Sequence, residues 1–202
     1  EYQMPEARKG EQTKQVILQK TRMLLVTKGF HHTSVSEIIA ASGVQKGSLY
    51  YHFPSKEELG LAVLEDARDE FFAILEQSLT GTTPLAKVFN SLEAVRRQMQ
   101  KANFVGGCLF GNSALEMSDS NPRFQEVIRE VFARWVDLLT KTLAEHRESD
   151  GTTLQEPRLL AKLIVAAIEG GIMMARVSKD GRDLDDCIRS LRRLLERQPA
   201  GL

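Results

Sequence analysis

At 202 residues, with 42% hydrophobic side chains and a formal net charge of +0, the chain is long enough for one domain or two small ones. The balanced charge argues against wholesale electrostatic coating of nucleic acid. Two cysteines are too few for a disulfide framework and point to a reducing cytoplasm; no apolar run approaches the ~18 residues of a membrane span, and no signal-peptide pattern opens the chain.

The charge is nevertheless uneven. Up to Lys56, eight Lys and Arg stand against four acids, a surplus of +4 that leaves −4 on the remainder. A basic end on an acidic remainder fits a DNA-contacting head on a non-contacting body. Residues 1–11 read as a loose polar arm containing Pro5 and Gly10, with Arg8 and Lys9 expected in solvent. A first helix over residues 12–28 follows from Ile17, Leu24 and Leu25 at helical spacing, with Thr21 between them; Gly29 ends it.

Residues 33–56, TSVSEIIAASGVQKGSLYYHFPSK, then read as two short helices joined by a tight turn. The first, over residues 36–42, takes Ser36 as its cap, places Glu37 at the positive helix end, and has Ile38, Ile39 and Ala41 as its apolar face. Gly43 supplies the left-handed conformation that ends it, and Val44 fills the angle. The second, over residues 45–51, turns Leu49 inward, with Phe53 beyond it. Its outward residues are polar, basic or aromatic with a hydroxyl. A short exposed helix of this kind suits the DNA major groove, where base edges offer donors and acceptors. The pattern is a helix-turn-helix.

The longer run GFHHTSVSEIIAASGVQKGSLYYHFPSKEEL, residues 29–59, resembles the DNA-binding signature of the TetR family of bacterial transcription regulators. Gly29-Phe30, Thr33, Ile39-Ala40, Gly43-Val44, Leu49-Tyr50, His52-Phe53, Lys56 and Leu59 all fall on the family pattern. The resemblance implies that the first helix packs across the helix-turn-helix and holds it rigid.

Beyond Phe53, Pro54-Ser55 marks a turn, and Ser55 with Glu58 three residues on is a capping box. The helix it opens carries Leu59, Val63, Leu64, Phe71, Ile74 and Leu75 and stops before the polar turn of residues 80–83. In the resembled family this helix is a strut whose ligand-driven pivoting changes the spacing between two DNA heads. A helix over residues 84–101 presents Leu85, Val88, Phe89, Leu92, Val95 and Met99. Gly106-Gly107 breaks the next stretch, and residues 108–117 form a short helix. Asn121-Pro122 starts another, whose Phe124, Val127, Ile128, Val131, Phe132, Trp135, Leu138 and Leu139 make it the core helix of the body. After a polar loop at residues 146–153, a helix over residues 157–177 is almost wholly apolar from Leu163 onward. Such a helix must be covered on all sides. Gly170 and Gly171 each cost roughly 1 kcal/mol of helix propensity against Ala and let another helix come close. The last helix, residues 184–197, aligns Leu184, Ile188, Leu191 and Leu195. The resemblance implies that these last two helices build a four-helix bundle with a second subunit; Cys187, beside their apolar stripe, reads as structural.

For the second helix of the helix-turn-helix, Gln45, Lys46 and Ser48 are candidates for base-edge contacts, since Lys donates to guanine, Gln pairs with adenine and Ser serves either. Gly47 lets the backbone approach closely, and Tyr50 matches a family position that touches DNA. Thr33, Tyr51, His52 and Lys56 are candidates for phosphate contacts, which position without reading sequence; packing against the first helix is the competing reading for Tyr51 and His52. In the body, Cys108 stands where a helix begins, and a helix N-terminus makes a thiol more reactive. GCLFGNSALE also resembles a segment of a TetR subgroup, some members of which respond to electrophiles or oxidants. A buried cysteine packing as a small hydrophobe is the commoner case and the one preferred. Glu116, Arg134, Trp135, Glu169, Met173, Met174 and Arg176 are candidates for lining a ligand cavity. Core filling is the favoured reading for the methionines, and a Glu in the apolar helix is costly unless paired or facing water. The four histidines fall in no metal-ligand spacing, and no phosphate loop or nucleophile elbow appears, so neither a metal, a cofactor nor a catalytic set is expected.

These readings converge on an all-α chain: a three-helix head over residues 1–54, and a ligand-binding and dimerisation body of about six helices over residues 55–202. The function implied is that of a homodimeric, cytoplasmic DNA-binding regulator. It would act as a repressor released from a palindromic double-stranded operator by a small-molecule effector. The alternative is a DNA-binding architectural or protein-interaction factor on the same fold without an inducer.

Overall fold

A computed structural model describes residues 6–145 and 156–196, and the described residues hold nine α-helices and no strand. In chain order they are α1 (Glu6–Lys28), α2 (Val35–Ser42), α3 (Lys46–His52), α4 (Lys56–Ser78), α5 (Pro84–Lys101), α6 (Leu109–Met117), α7 (Pro122–Ala144), α8 (Pro157–Ser178) and α9 (Arg182–Glu196). None is long and apolar enough to cross a membrane. Two compact units emerge: the described residues up to Arg68 together with Leu109–Ile128, and Asp69–Cys108 together with the described residues from Arg129 onward. The division therefore differs from a cut at 54/55. The first part of α4, all of α6 and the start of α7 belong to the head unit.

The head is built on Ile17, Ile38, Leu49, Phe53 and Leu59, none more than 4% exposed. Here α1 starts at Glu6, so residues 6–11 are helical and not an arm. Glu, Ala, Arg, Lys and Gln propagate a helix well, and no proline follows Pro5 in this stretch. The solvent placement expected of the Arg8 and Lys9 side chains lies outside the described residues. The cap of α2 is Ser34 and not Ser36: Ser34 Oγ accepts from the Glu37 N–H (3.2 Å), and Glu37 Oε2 accepts from the Ser34 N–H (2.8 Å). Both serines suit a cap by composition, but only Ser34 has a Glu three residues on to complete the box. Gly43 closes α2 at φ +69°, its N–H donating to the Ile39 carbonyl. Ser55 Oγ caps α4 by accepting from the Glu58 N–H (3.1 Å). The start of α7 is capped by Asn121, whose Oδ1 accepts from the N–H groups of Arg123 and Phe124.

In the second unit, Thr83 caps α5 ahead of Pro84, and α5 buries Val88, Phe89, Leu92 and Val95. Trp135, Leu139 and Leu143 of α7, Ile164, Ile168 and Ile172 of α8, and Leu184, Ile188, Leu191 and Leu195 of α9 complete the core. The close approach of α8 and α9 is at Gly171, where a Cβ would lie 3.0 Å from Leu184 and 3.1 Å from Cys187 Sγ; a Cβ at Gly170 would meet nothing within 4 Å. Among the described residues α8 is thus covered on one face only. Leu159, Leu163, Met173, Met174 and Val177 remain exposed on it. The polar loop expected at residues 146–153 lies outside the described residues.

Candidate nucleic-acid interface and effector site

Leu49 anchors α3 in the head at 2% exposure, and Phe53 follows it inward at 4%. That anchoring turns Gln45, Lys46, Gly47 and Tyr50 outward, with Ser48 half-buried beside them. No acid stands in the first turn of α3, and a Cβ at Gly47 would meet nothing within 4 Å. The face is uncluttered and carries one ammonium, an amide and two hydroxyls. Tyr51 is 84% exposed, its ring edge-on to His52 (5.1 Å), while His52 is half-buried and also touches Phe53. Each candidate for reading or gripping DNA on α3 is therefore on or beside one surface.

Thr33 is the exception. It is 0% exposed, and its hydroxyl donates to the Gly29 carbonyl at 2.7 Å. Its side chain stabilises the turn before α2 and cannot reach a phosphate. Lys56 is half-buried, with Nζ 4.4 Å from the centroid of the Phe30 ring. Burial pushes its ammonium pKa down, against the pull of Glu116 and Glu37. Lys56 is thus partly occupied within the head. Nearby, the Lys28 ammonium hydrogen-bonds Glu37, and this bond, followed by those from Ser34, lowers the Glu37 carboxyl to about 2.

Glu116 is not gathered with the other effector candidates. It lies in the head unit at the end of α6, with Oε2 accepting from the Phe30 N–H (2.8 Å) and Oε1 from the His31 N–H (2.7 Å). No local pattern signals this contact, because the partners are 86 and 85 residues apart.

In the second unit, Cys108 immediately precedes α6 and is half-buried; its thiol hydrogen-bonds the Glu169 carboxyl of α8. Burial raises the Glu169 pKa, and the thiol's hydrogen bond moderates the rise. Glu169 Oε1 is buried with no hydrogen-bond partner. Trp135 is 2% exposed, edge-on to Phe71 at 5.1 Å, and its indole N–H is also unpartnered. Arg134 lies over the Phe72 ring at 4.0 Å and pairs with Glu76 (2.8 Å). Met173 is 59% exposed and Met174 42%, so neither fills the core of the chain. The body thus joins Cys108 with Glu169 in one contact, keeps Trp135 as a second buried polar group, and leaves Met173 on the outside.

Comparison with known proteins agrees with this geometry. Residues 17–63 match the bacterial regulatory proteins of the tetR family, and residues 84–190 match the LmrA/YxaF-like C-terminal domain of transcriptional regulators. The chain belongs to the TetR family. An HTH-type transcriptional regulator of Mycobacterium tuberculosis is 30% identical over 178 residues, covering 86% of this chain and 89% of that protein. The HTH-type transcriptional repressor DhaR of a Mycobacterium species is 28% identical over 180 residues, covering 85% and 86%. A TetR transcriptional regulator of Chloroflexus aurantiacus has a solved structure that superposes with a TM-score of 0.84 at 29% identity, over 95% of this chain and 98% of that one. This TetR-family protein is accordingly a DNA-binding transcription regulator and not an enzyme.

Proposed function

We propose that this TetR-family regulator is a repressor that grips a two-fold symmetric operator as a homodimer in the cytoplasm and lets go when a small molecule enters its body. The observation that carries the DNA reading is α3, an exposed, acid-free face of Gln45, Lys46, Gly47, Ser48 and Tyr50 held on a buried Leu49. Lys46 and Gln45 suit base edges, while Tyr51, His52 and Lys56 suit the flanking phosphates. The dimer reading rests on the exposed apolar stripe of α8. Repression is favoured by the likeness to DhaR, a repressor. An effector, as against a body without one, is favoured by Glu169 Oε1 and the Trp135 indole N–H: two buried polar atoms lacking partners are costly in a solid core and suit a ligand that supplies the missing bonds.

A mobility-shift titration with the DNA upstream of the protein's own gene, repeated across a panel of small molecules, tests the reading. The expected result is saturable binding that competes poorly with random DNA and weakens with one class of compound. Equal affinity for random and upstream DNA would sink the operator reading. Undiminished binding across the whole panel would favour the architectural alternative.

A further inference from the structure

The segment between α1 and α2 turns the chain so that the two reading helices can follow, and most of its backbone N–H groups are engaged. Gly29 leaves α1 at φ +84°, with its N–H on the Leu25 carbonyl (2.9 Å). Its own carbonyl accepts the Thr33 hydroxyl, and Ser34 and Glu37 cap each other. Two adjacent amides, those of Phe30 and His31, are not satisfied by the turn itself. They point the same way and are held by one carboxylate, at 2.8 and 2.7 Å, from Glu116 on α6.

Further features show that this is a built contact. A Cβ on Gly29 would come within 2.6 Å of the Glu116 carboxylate, so the glycine clears the approach as well as making the turn. One turn earlier on α6, Asn112 Nδ2 donates to the Val26 carbonyl near the end of α1 (3.3 Å). The Phe30 ring is fixed at the same place by Phe124, edge-on at 5.0 Å, and by Lys56, whose ammonium also feels the Glu116 charge. A carboxylate bridging two neighbouring N–H groups makes two charge-assisted hydrogen bonds of fixed direction, so it sets the path of the chain between α1 and α2.

We infer that Glu116 is a positioning residue for DNA recognition: through the amides of Phe30 and His31 it fixes the angle at which α2, and with it α3, is presented. The inference rests on the operator-binding reading above. Recognition requires side chains held within a fraction of an ångström, so loosening this turn disperses Lys46 and Tyr50 without removing any group that touches DNA.

The test uses the full chain with Glu116→Ala and the same-length Glu116→Gln, which keeps one acceptor and turns an NH2 toward the second amide. Amide exchange of Phe30 and His31 should accelerate about tenfold in Glu116→Ala, with the Ile38 and Leu49 amides unchanged. Operator affinity should fall about tenfold, and about threefold for Glu116→Gln, with the slope of log affinity against log salt unaltered, since no phosphate contact is lost. Faster exchange with unchanged affinity in both variants would make the clamp purely structural and overturn the proposal. So would a changed salt slope, which would mean that Glu116 acts through its charge on DNA, or unchanged exchange, which would mean that the turn holds without it. If Glu116→Ala does not fold, Glu116→Gln decides alone. If the unmodified chain binds no operator, the regulator reading fails, while amide exchange still decides whether the clamp holds the turn.

Discussion

The two units treat a glutamate in opposite ways. In the head, Glu116 has each carboxylate oxygen on a backbone N–H, and the result is a defined turn. In the body, Glu169 is half-buried on a mostly apolar helix, accepts a hydrogen bond from the Cys108 thiol, and leaves its buried Oε1 unmatched. A buried acceptor without a partner is destabilising by about 1–3 kcal/mol. A carboxylate on two amides contributes to a single geometry; a half-satisfied one keeps a polar point available for something else. Their surfaces differ in the same sense, the head showing polar groups on α3 and the body an apolar stripe on α8.

The largest test of that contrast is the apolar stripe. By helical spacing Leu163, Gly170, Met174 and Val177 share a face, and among the described residues that face has no cover. Leu163→Glu should leave the isolated fold intact and convert the dimer to monomer in sedimentation. Operator affinity should then fall by roughly a hundredfold or more, because two heads no longer bind as one. Gly170→Leu is a subtler form of the same test, since a Cβ there meets nothing within 4 Å among the described residues. Weaker self-association in that variant would report a second copy packed on Gly170. A monomeric unmodified chain at micromolar concentration would end the proposal.

Next in size are the two lysines of the head. Lys46→Ala should lower affinity by about 1–3 kcal/mol and relax preference at one base pair, mirrored in the other half-site. Lys56→Ala should weaken all operator variants alike. Because Lys56 also stacks on Phe30, its removal should lower the melting temperature of the chain as well, which Lys46→Ala should not. Binding to a set of single-base variants at two salt concentrations, with a thermal melt of each protein, checks both. Uniform weakening by Lys46→Ala would place Lys46 on a phosphate and reverse the orientation assigned to α3.

What the sequence made legible follows the range of the interactions. Most helix spans, the inward turn of Leu49 and Phe53, the Gly43 stop and the Asn121 and Pro84 starts depend on neighbours within one turn, and they were readable. Ser34 against Ser36 was a local ambiguity that the Glu37 box resolves. The roles of Thr33 and Glu116 were not readable, because one depends on burial in a turn and the other on a partner 85 residues away. Gly170 and Gly171 are identical in sequence terms. Only the position of α9 shows that Gly171 meets Leu184 and Cys187 while Gly170 faces outward.

Glu169 makes a pH prediction. Burial raises its folded-state pKa, so between the unfolded value and that raised value the native state holds the extra proton. Stability therefore falls as pH rises through this window and levels off above it. Glu169→Gln removes the ionisation, so the variant should lose less stability than the unmodified chain between pH 5 and pH 8, each of the two being approximate working limits. Thermal melts of both proteins across that range measure the difference. Parallel curves would mean that Glu169 is solvated in the folded chain, and its candidacy as an effector contact would lapse with its burial.

The smallest effect concerns the two thiols and tests the Cys108–Glu169 contact directly. Cys187 is held back by burial and by the nearby charges of Asp183 and Asp186, which raise its pKa. Cys108 stands at the start of α6, where the helix end favours a thiolate, but its bond to Glu169 requires the sulfur to keep its proton. Two opposing influences therefore act on it, and one of them can be removed. With a neutral alkylating reagent at neutral pH, Cys108 should label faster than Cys187 in the unmodified chain. In Glu169→Gln, where no carboxylate opposes the thiolate, Cys108 labelling should accelerate by about threefold to tenfold while Cys187 is unchanged. Peptide mapping of the labelled protein separates the two sites, and Cys108→Ser supplies the control. Equal and slow labelling of both thiols in both proteins would return Cys108 to an inert packing role, and it would leave Glu169 Oε1 and the Trp135 indole N–H as the polar features that set this part of the body apart from the head.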